Sequence, residues 1–178
     1  ERKDYHFEYG YALWVYDSIM KKSISDFKYR YKKEYAEYYI EAVVSKYGNK
    51  IKHMAPDIIV PVPIHQSKYR DRGYNQAEIL AKGIGAKLGI PVLPHLLLRN
   101  KKTLPQKQLN DKERLRNLQE AFEYNKHSAI YYTGKMDKVL LVDDIYTTGS
   151  TIEACTNVLL HNQSKNVYFL TLCIGKGF

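Results

Sequence analysis

Asp143 and Asp144 stand side by side, with four apolar residues before them (Val139 to Val142) and a hydroxyl-rich turn after them. That turn is Thr147, Thr148, Gly149, Ser150 and Thr151. Adjacent carboxylates accept hydrogen bonds from sugar hydroxyls or hold a hydrated Mg²⁺. A Gly- and hydroxyl-rich turn running into a helix offers free N–H groups and the positive end of the helix dipole, which suit a phosphate. The pairing implies a ligand carrying both sugar and phosphate. The plainer role for the same residues is an Asx-type turn in which Asp144 or a threonine caps the helix. A Walker A loop is excluded, because no Gly-Lys-Ser/Thr ending is present.

A second cluster lies upstream. Lys68, Arg70 and Arg72 fall within five residues in the loop 64–73, and the run Asp57 to Pro63 before it reads as a buried strand. Pro61 and Pro63 stop that strand's pairing and stiffen the way into the loop. Gly73-Tyr74-Asn75-Gln76 then opens a helix with its stripe at Ala77, Leu80, Ile84 and Leu88, and Gly89 and Pro91 end it. A strand, a basic loop and a helix in that order can hold a second phosphate group. Its plainer role is a solvated basic surface loop.

These clusters need a scaffold that puts both loops at one sheet edge. The apolar run ending at Asp143 reads as a buried strand of a parallel sheet, closed off by the two carboxylates. A helix follows (Ile152, Cys155, Leu159), then a last strand over 166–174. Alternating strands and helices predict an α/β fold, and the crevice beyond the strands' carboxyl ends is where such folds bind ligands. Residues Tyr5 to Val15 alternate aromatic side chains and predict a strand or hairpin in a small flanking element over 1–16. Asp17 or Ser18 would cap a helix to about Phe27, and a second helix would run from about Lys32 to Tyr47, stopped by Gly48-Asn49. Tyr31, Tyr35, Tyr38 and Ala42 sit at helical spacing among lysines. Such a stripe commonly packs on a core, and it could also stack on single-stranded bases. Leu96 to Leu98 would form a short strand. The polar stretch 99–117 is either a mobile loop over the site or a charged linker to a short helix at 111–118.

A chain of 178 residues fits one domain, 1–178. A net charge of +9 favours anionic partners without choosing among sugar phosphates, pyrophosphate and nucleic acid. Cys155 and Cys173 fall inside expected elements as buried free thiols, and no disulfide framework or zinc spacing accompanies them, which fits a cytoplasmic protein. The first residues are no signal peptide, and the missing initiator Met points to a trimmed chain. No apolar run reaches membrane-spanning length, so no membrane insertion is expected. The six histidines show no metal-ligand spacing; only His65 would lie beside the crevice.

The stretch Val139 to Thr151 resembles the fingerprint of type I phosphoribosyltransferases, which use phosphoribosyl pyrophosphate (PRPP). Pro61-Val62-Pro63 followed by Arg72-Gly73-Tyr74-Asn75-Gln76-Ala77 narrows the resemblance to the ComF family, associated with DNA uptake in natural competence. Arg99, Thr103, Gln106, Gln108-Leu109, Arg114, Asn117 and Ala121-Phe122 extend it, so that it covers about Tyr16 to Leu172. The resemblance implies a type I phosphoribosyltransferase fold, a mainly parallel sheet flanked by helices. It implies ribose hydroxyls on Asp143 and Asp144, with Mg²⁺ near them through PRPP. Thr147 to Thr151 would hold the 5′-phosphate (strand, loop and helix over 138–161). Lys68, Arg70 and Arg72 would hold the pyrophosphate (57–89). Arg99, Gln106 and Arg114 would belong to a flexible loop (99–117) that closes over PRPP. Displacement of pyrophosphate by a nitrogen nucleophile, a glycosyltransferase reaction of nucleoside metabolism, would follow if the protein turns over. Single-stranded DNA and competence-machinery proteins are the implied partners, and a non-catalytic DNA-handling factor or a PRPP-sensing regulator is the alternative. Two departures stand out. Hypoxanthine-type enzymes carry Asp where this chain has Thr147, a poor base. The four-cysteine zinc ribbon that opens many ComF proteins has no counterpart in a chain with two cysteines.

Overall fold

Alternation along one strand sorts the molecule into two faces. In the computed structural model, which describes residues 4–30, 33–100, 117–118 and 120–175, Val139 and Leu141 join one buried cluster while Leu140 and Val142 join the other. All four are fully or almost fully buried, and each contributes about 1.5–3 kcal/mol of hydrophobic stabilisation. In chain order the elements are β1 (Gly10–Val15), α1 (Ser18–Tyr29), α2 (Lys33–Met54), β2 (Ile58–Pro61), α3 (Gln66–Arg72), α4 (Gln76–Leu88), β3 (Leu97–Arg99), β4 (Phe122–Tyr124), α5 (Lys126–Ile130), β5 (Lys138–Tyr146), α6 (Ser150–Leu160) and β6 (Asn166–Ile174).

The main sheet has the order β1-β6-β5-β2 and every pairing in it is parallel. Residues of α1, α2 and α4 pack on one face, and α6 with the antiparallel pair β3–β4 packs on the other. This is the α/β layout expected for a type I phosphoribosyltransferase fold. The aromatic amino-terminal stretch is built into that sheet: β1 is its edge strand, in register with β6 from Gly10↔Phe169 to Val15↔Ile174. Among the described residues no helix is long and apolar enough to cross a membrane.

Helix α1 starts where the capping residue predicts, with Asp17 accepting from the Met20 N–H at 2.8 Å. Helix α2 does not stop at Gly48-Asn49. It runs on to Met54, because Val43, Tyr47, Ile51 and Met54 continue one buried stripe, and tertiary burial outweighs the roughly 1 kcal/mol cost of a mid-helix glycine. The helix ends at Ala55 (φ 52), whose N–H reaches back to the carbonyls of Ile51 and Lys52, before Pro56 forbids continuation. Replacing Ile51 by Ala is expected to cost about 3 kcal/mol in denaturant unfolding. A loss below about 1 kcal/mol would mean that the last turns of α2 contribute little to the core. The stripe of α2 is also shifted from the one expected. Tyr39 is buried, whereas Tyr38 is exposed and lies nearly parallel to the Trp14 ring; Tyr31 lies outside the described residues.

Two further elements differ from expectation. The basic loop 64–73 is largely helical: α3 is capped by His65, whose Nδ1 accepts from the Ser67 N–H at 3.1 Å, and ended by Gly73 in the left-handed region (φ 80). Strand β5 does not stop at its carboxylates but carries them, pairing Asp143↔Thr171, Ile145↔Cys173 and Tyr146↔Ile174.

Candidate functional site

Asp143 and Asp144 point to different surroundings because neighbours on a strand face opposite ways. Asp144 is buried. Its Oδ2 meets the Lys28 ammonium at 2.5 Å and accepts from the Gln76 amide at 3.2 Å. Asp143 is less enclosed and accepts the Asp144 N–H on Oδ1 at 2.9 Å. Burial and the adjacent Asp144 hold the Asp143 carboxyl well above the usual carboxylate range, against the opposing pull of that N–H and of Lys28. The folded protein therefore keeps a proton on Asp143 that the unfolded chain would release. The stability from this group is complete below the ordinary value of 3.8 and drains away as pH rises toward the folded value. Asp143→Asn removes that drain. Its melting temperature is expected to match the parent's in acid and to exceed it at neutral pH; an advantage that shrinks with rising pH would contradict this.

The basic side is assembled from three elements. Lys68 and Arg72 are four apart on α3 and share a face, while Arg70 lies on the opposite side of the short helix and is exposed. The Arg72 guanidinium donates to the Gln76 carbonyl oxygen at 3.1 Å, so Gln76 links Arg72 to Asp144. Lys68 stays accessible, yet partial desolvation, followed by the fields of Arg99, Arg72 and Lys28, pushes its ammonium below its ordinary range. Arg99 was expected to open a flexible loop. It is the last residue of β3, paired across from Phe122 and lying over that ring at 5.2 Å, and desolvation lowers it while Asp143 opposes. Gln106 and Arg114 lie outside the described residues. Asn75 orders the junction behind these cations: its side chain caps α4 at Ala77 and donates to the Val62 carbonyl at 3.0 Å.

The turn 147–151 enters α6 through Gly149, which adopts φ 76 and carries no side-chain cap. A Cβ there would press on the Tyr146 hydroxyl, and the left-handed backbone disfavours any other residue. Thr147 and Thr148 are exposed, and Ser150 and Thr151 partly so. The Thr148 and Ser150 hydroxyls touch at 2.9 Å. The plainer reading holds only weakly: the Thr148 hydroxyl accepts from the Ser150 N–H at 3.4 Å, and Gly149 at the cap position has no side chain to offer. Behind the turn the amino-terminal segment is fastened down. Tyr5 donates to the Thr148 carbonyl, and His6 binds the buried Glu153 of α6 through its backbone N–H at 2.9 Å and its Nδ1 at 2.5 Å.

Lys28, Gln76, Tyr5, His6 and Glu153 are the site's neighbours that local patterns did not single out. Lys28 read as one of several solvated lysines, and Gln76 as a helix opener; only long-range packing identifies their partners. Burial pushes the Cys173 thiol up to about 12 and the Cys155 thiol further from ionisation, so neither is a nucleophile. Among the described residues no group of three or more His, Cys, Asp or Glu side chains could hold a metal ion on its own.

The sequence has relatives named for competence and for DNA utilization. It is 38% identical over 106 residues to Competence protein F of Haemophilus influenzae, 58% of this chain and 44% of that one. It is 29% identical over 153 residues to Competence protein ComFC of Bacillus subtilis, 84% of this chain and 57% of that one. With DNA utilization protein YhgH of Escherichia coli (strain K12) the identity is 32% over 118 residues, 66% of this chain and 49% of the relative. The chain thus spans about half the length of the curated relatives it matches. An adenine phosphoribosyltransferase crystal structure superposes with a TM-score of 0.48 and 18% identity, covering 79% of this chain and 72% of that one. No family model matches. By sequence the chain is thus similar to the ComF competence proteins, over 84% of its length in the case of ComFC.

Proposed function

We propose that this domain binds PRPP: the 5′-phosphate at the turn 147–151, the ribose hydroxyls at Asp143 and Asp144, and the pyrophosphate beside Lys68 and Arg72. The observation that carries the reading is the juxtaposition of an acid pair, one member of it buried, with four cations (Lys28, Lys68, Arg72 and Arg99) drawn from three elements. A phosphate-only site would not keep two carboxylates at its centre, since they would repel the ligand. A sugar-only site would have no use for four cations. The carboxylates are hard oxygen donors that fit Mg²⁺, which keeps most of its waters and is bound through one or two carboxylates together with substrate phosphates. With two acids and, among the described residues, no third carboxylate, His or Cys ligand, the site supplies only part of a coordination shell, consistent with a cation shared with the pyrophosphate. Mg²⁺ bound there would neutralise charge on a departing pyrophosphate; Lys68, Arg72 and Arg99 stand where fixed positive charge does the same. Transfer of the phosphoribosyl group to a nitrogen acceptor follows as the reaction class.

The relatives' names connect the domain to competence and DNA utilization, so a role in DNA uptake is part of the reading, with single-stranded DNA as a partner for a chain of net charge +9. The test is calorimetric titration of PRPP with and without Mg²⁺, repeated with short single-stranded DNA present. Saturable, Mg²⁺-dependent binding is the expected result. A folded protein that ignores PRPP while still binding DNA would replace this reading with that of a DNA-handling factor on an inherited fold.

A further inference from the structure

The cation closest to the acid pair comes from outside both phosphate-binding units. Lys28 belongs to the last turn of α1, and that turn is fastened on either side of it. Phe27 is buried, and its carbonyl accepts from the Tyr74 hydroxyl. Tyr29 lies under the Arg72 guanidinium at 4.9 Å, and its hydroxyl accepts from Arg72 at 3.2 Å. Held between these anchors, Lys28 reaches Asp144 Oδ2 at 2.5 Å, its side chain 19% exposed against 8% for Asp144.

We propose that Lys28 is a resident counter-ion, holding the place beside Asp144 that a divalent cation would otherwise take, so that metal joins the site only as an incoming polyanion draws Lys28 away. This deepens the reading above and rests on its assignment of a divalent cation to the acid pair. Asp144 Oδ2 already receives the Lys28 ammonium and the Gln76 amide, so a metal ion approaching that oxygen meets a fixed positive charge. Lys68, Arg72 and Arg99 add their own repulsion. A ligand with several phosphate charges reverses the balance: it satisfies the surplus cations and offers the Lys28 ammonium a second anion within the sweep of its four-carbon stem. Metal and polyanion then bind with positive cooperativity, and neither binds well alone.

The probe is Mn²⁺ alone, followed by electron paramagnetic resonance on the full chain. Lys28→Met is expected to bind Mn²⁺ at least tenfold more tightly than the parent, and Lys28→Arg no more tightly than the parent. Adding Asp144→Asn to Lys28→Met should erase the gain. Equal Mn²⁺ affinity in the parent and Lys28→Met would overturn the proposal, as would a gain that survives the loss of Asp144. Because Lys28→Met leaves a buried carboxylate unpaired, the parent supplies a second measurement. Acylation of the Lys28 amine, read by mass spectrometry, is expected to be slow, to stay slow with Mn²⁺ alone and to accelerate saturably when inorganic pyrophosphate accompanies the Mn²⁺; a rate indifferent to that pair sinks the idea. Failure of the parent to bind PRPP would overturn the proposed function and leave the Mn²⁺ contrast standing, so the two failures are distinguishable.

Discussion

Asp143→Asn combined with Asp144→Asn is expected to abolish Mg²⁺-dependent PRPP binding, with a loss of at least ~100-fold. A hydrogen bond to a charged group is worth about 1.5–3 kcal/mol, and removing two such acceptors compounds to roughly 10² to 10⁴ in affinity. Calorimetry reads the loss, and the structure says how to separate it from unfolding. Asp144→Asn strips the Lys28 ammonium of its carboxylate, and breaking a buried pair by removing one partner costs about 3–5 kcal/mol. Among the described residues Asp143 forms no close ion pair of that kind, and its single replacement stabilises at neutral pH for the reason given above. The decisive variant is therefore Asp143→Asn alone: a protein at least as stable as the parent that has lost most of its affinity. Undiminished PRPP binding in that folded variant would remove the ribose from the acid pair.

The second large effect divides the three cations around 64–73. Lys68→Ala with Arg72→Ala is expected to weaken pyrophosphate-bearing ligands by about 10- to 100-fold per residue, on the scale of one charge-assisted hydrogen bond each. Ribose 5-phosphate, whose phosphate goes to the turn before α6, should lose far less. Arg70→Ala should change either affinity by less than about threefold, because Arg70 faces away from the shared side of α3. A uniform loss for both ligands, or an Arg70 effect equal to that of Arg72, would place the pyrophosphate elsewhere.

What could be read from the sequence follows the range of the interactions concerned. The strand–acid pair–turn–helix unit was legible because its signals are consecutive: four apolar residues, two carboxylates, then Gly149 at a backbone angle that favours glycine. The strand's true end was not, since β6 extends to Ile174 and keeps pairing past the acids. Composition made 64–73 a loop. With no buried residue in α3, the helix has no apolar stripe to announce it, and its two terminal signals, His65 and Gly73, look like ordinary loop residues. In α2 a local stop signal competed with Ile51 and Met54, whose burial is decided by a core that no short window contains. The partners of Asp144 and Glu153 belong to the same class: Gln76 lies 68 residues from Asp144 and His6 lies 147 from Glu153.

The pairing of β1 with β6 dictates an order of assembly. Gly10 finds Phe169 only after residue 169 has been made, and a Cβ at Gly10 would run into the Phe169 ring, so β1 has one closely fitted partner and must wait for it. During synthesis α1, α2 and α4 can gather around β2 early, since those contacts are near in sequence. The strand bearing the acid pair lies between β2 and β6, and its burial is completed from the far side by a strand made after it. Long-range parallel pairing of this kind is slow and leaves edges open meanwhile. The candidate site thus matures only after β6 is made, and a nascent chain halted before residue 166 would carry the acidic and basic clusters without the strand that holds them in place.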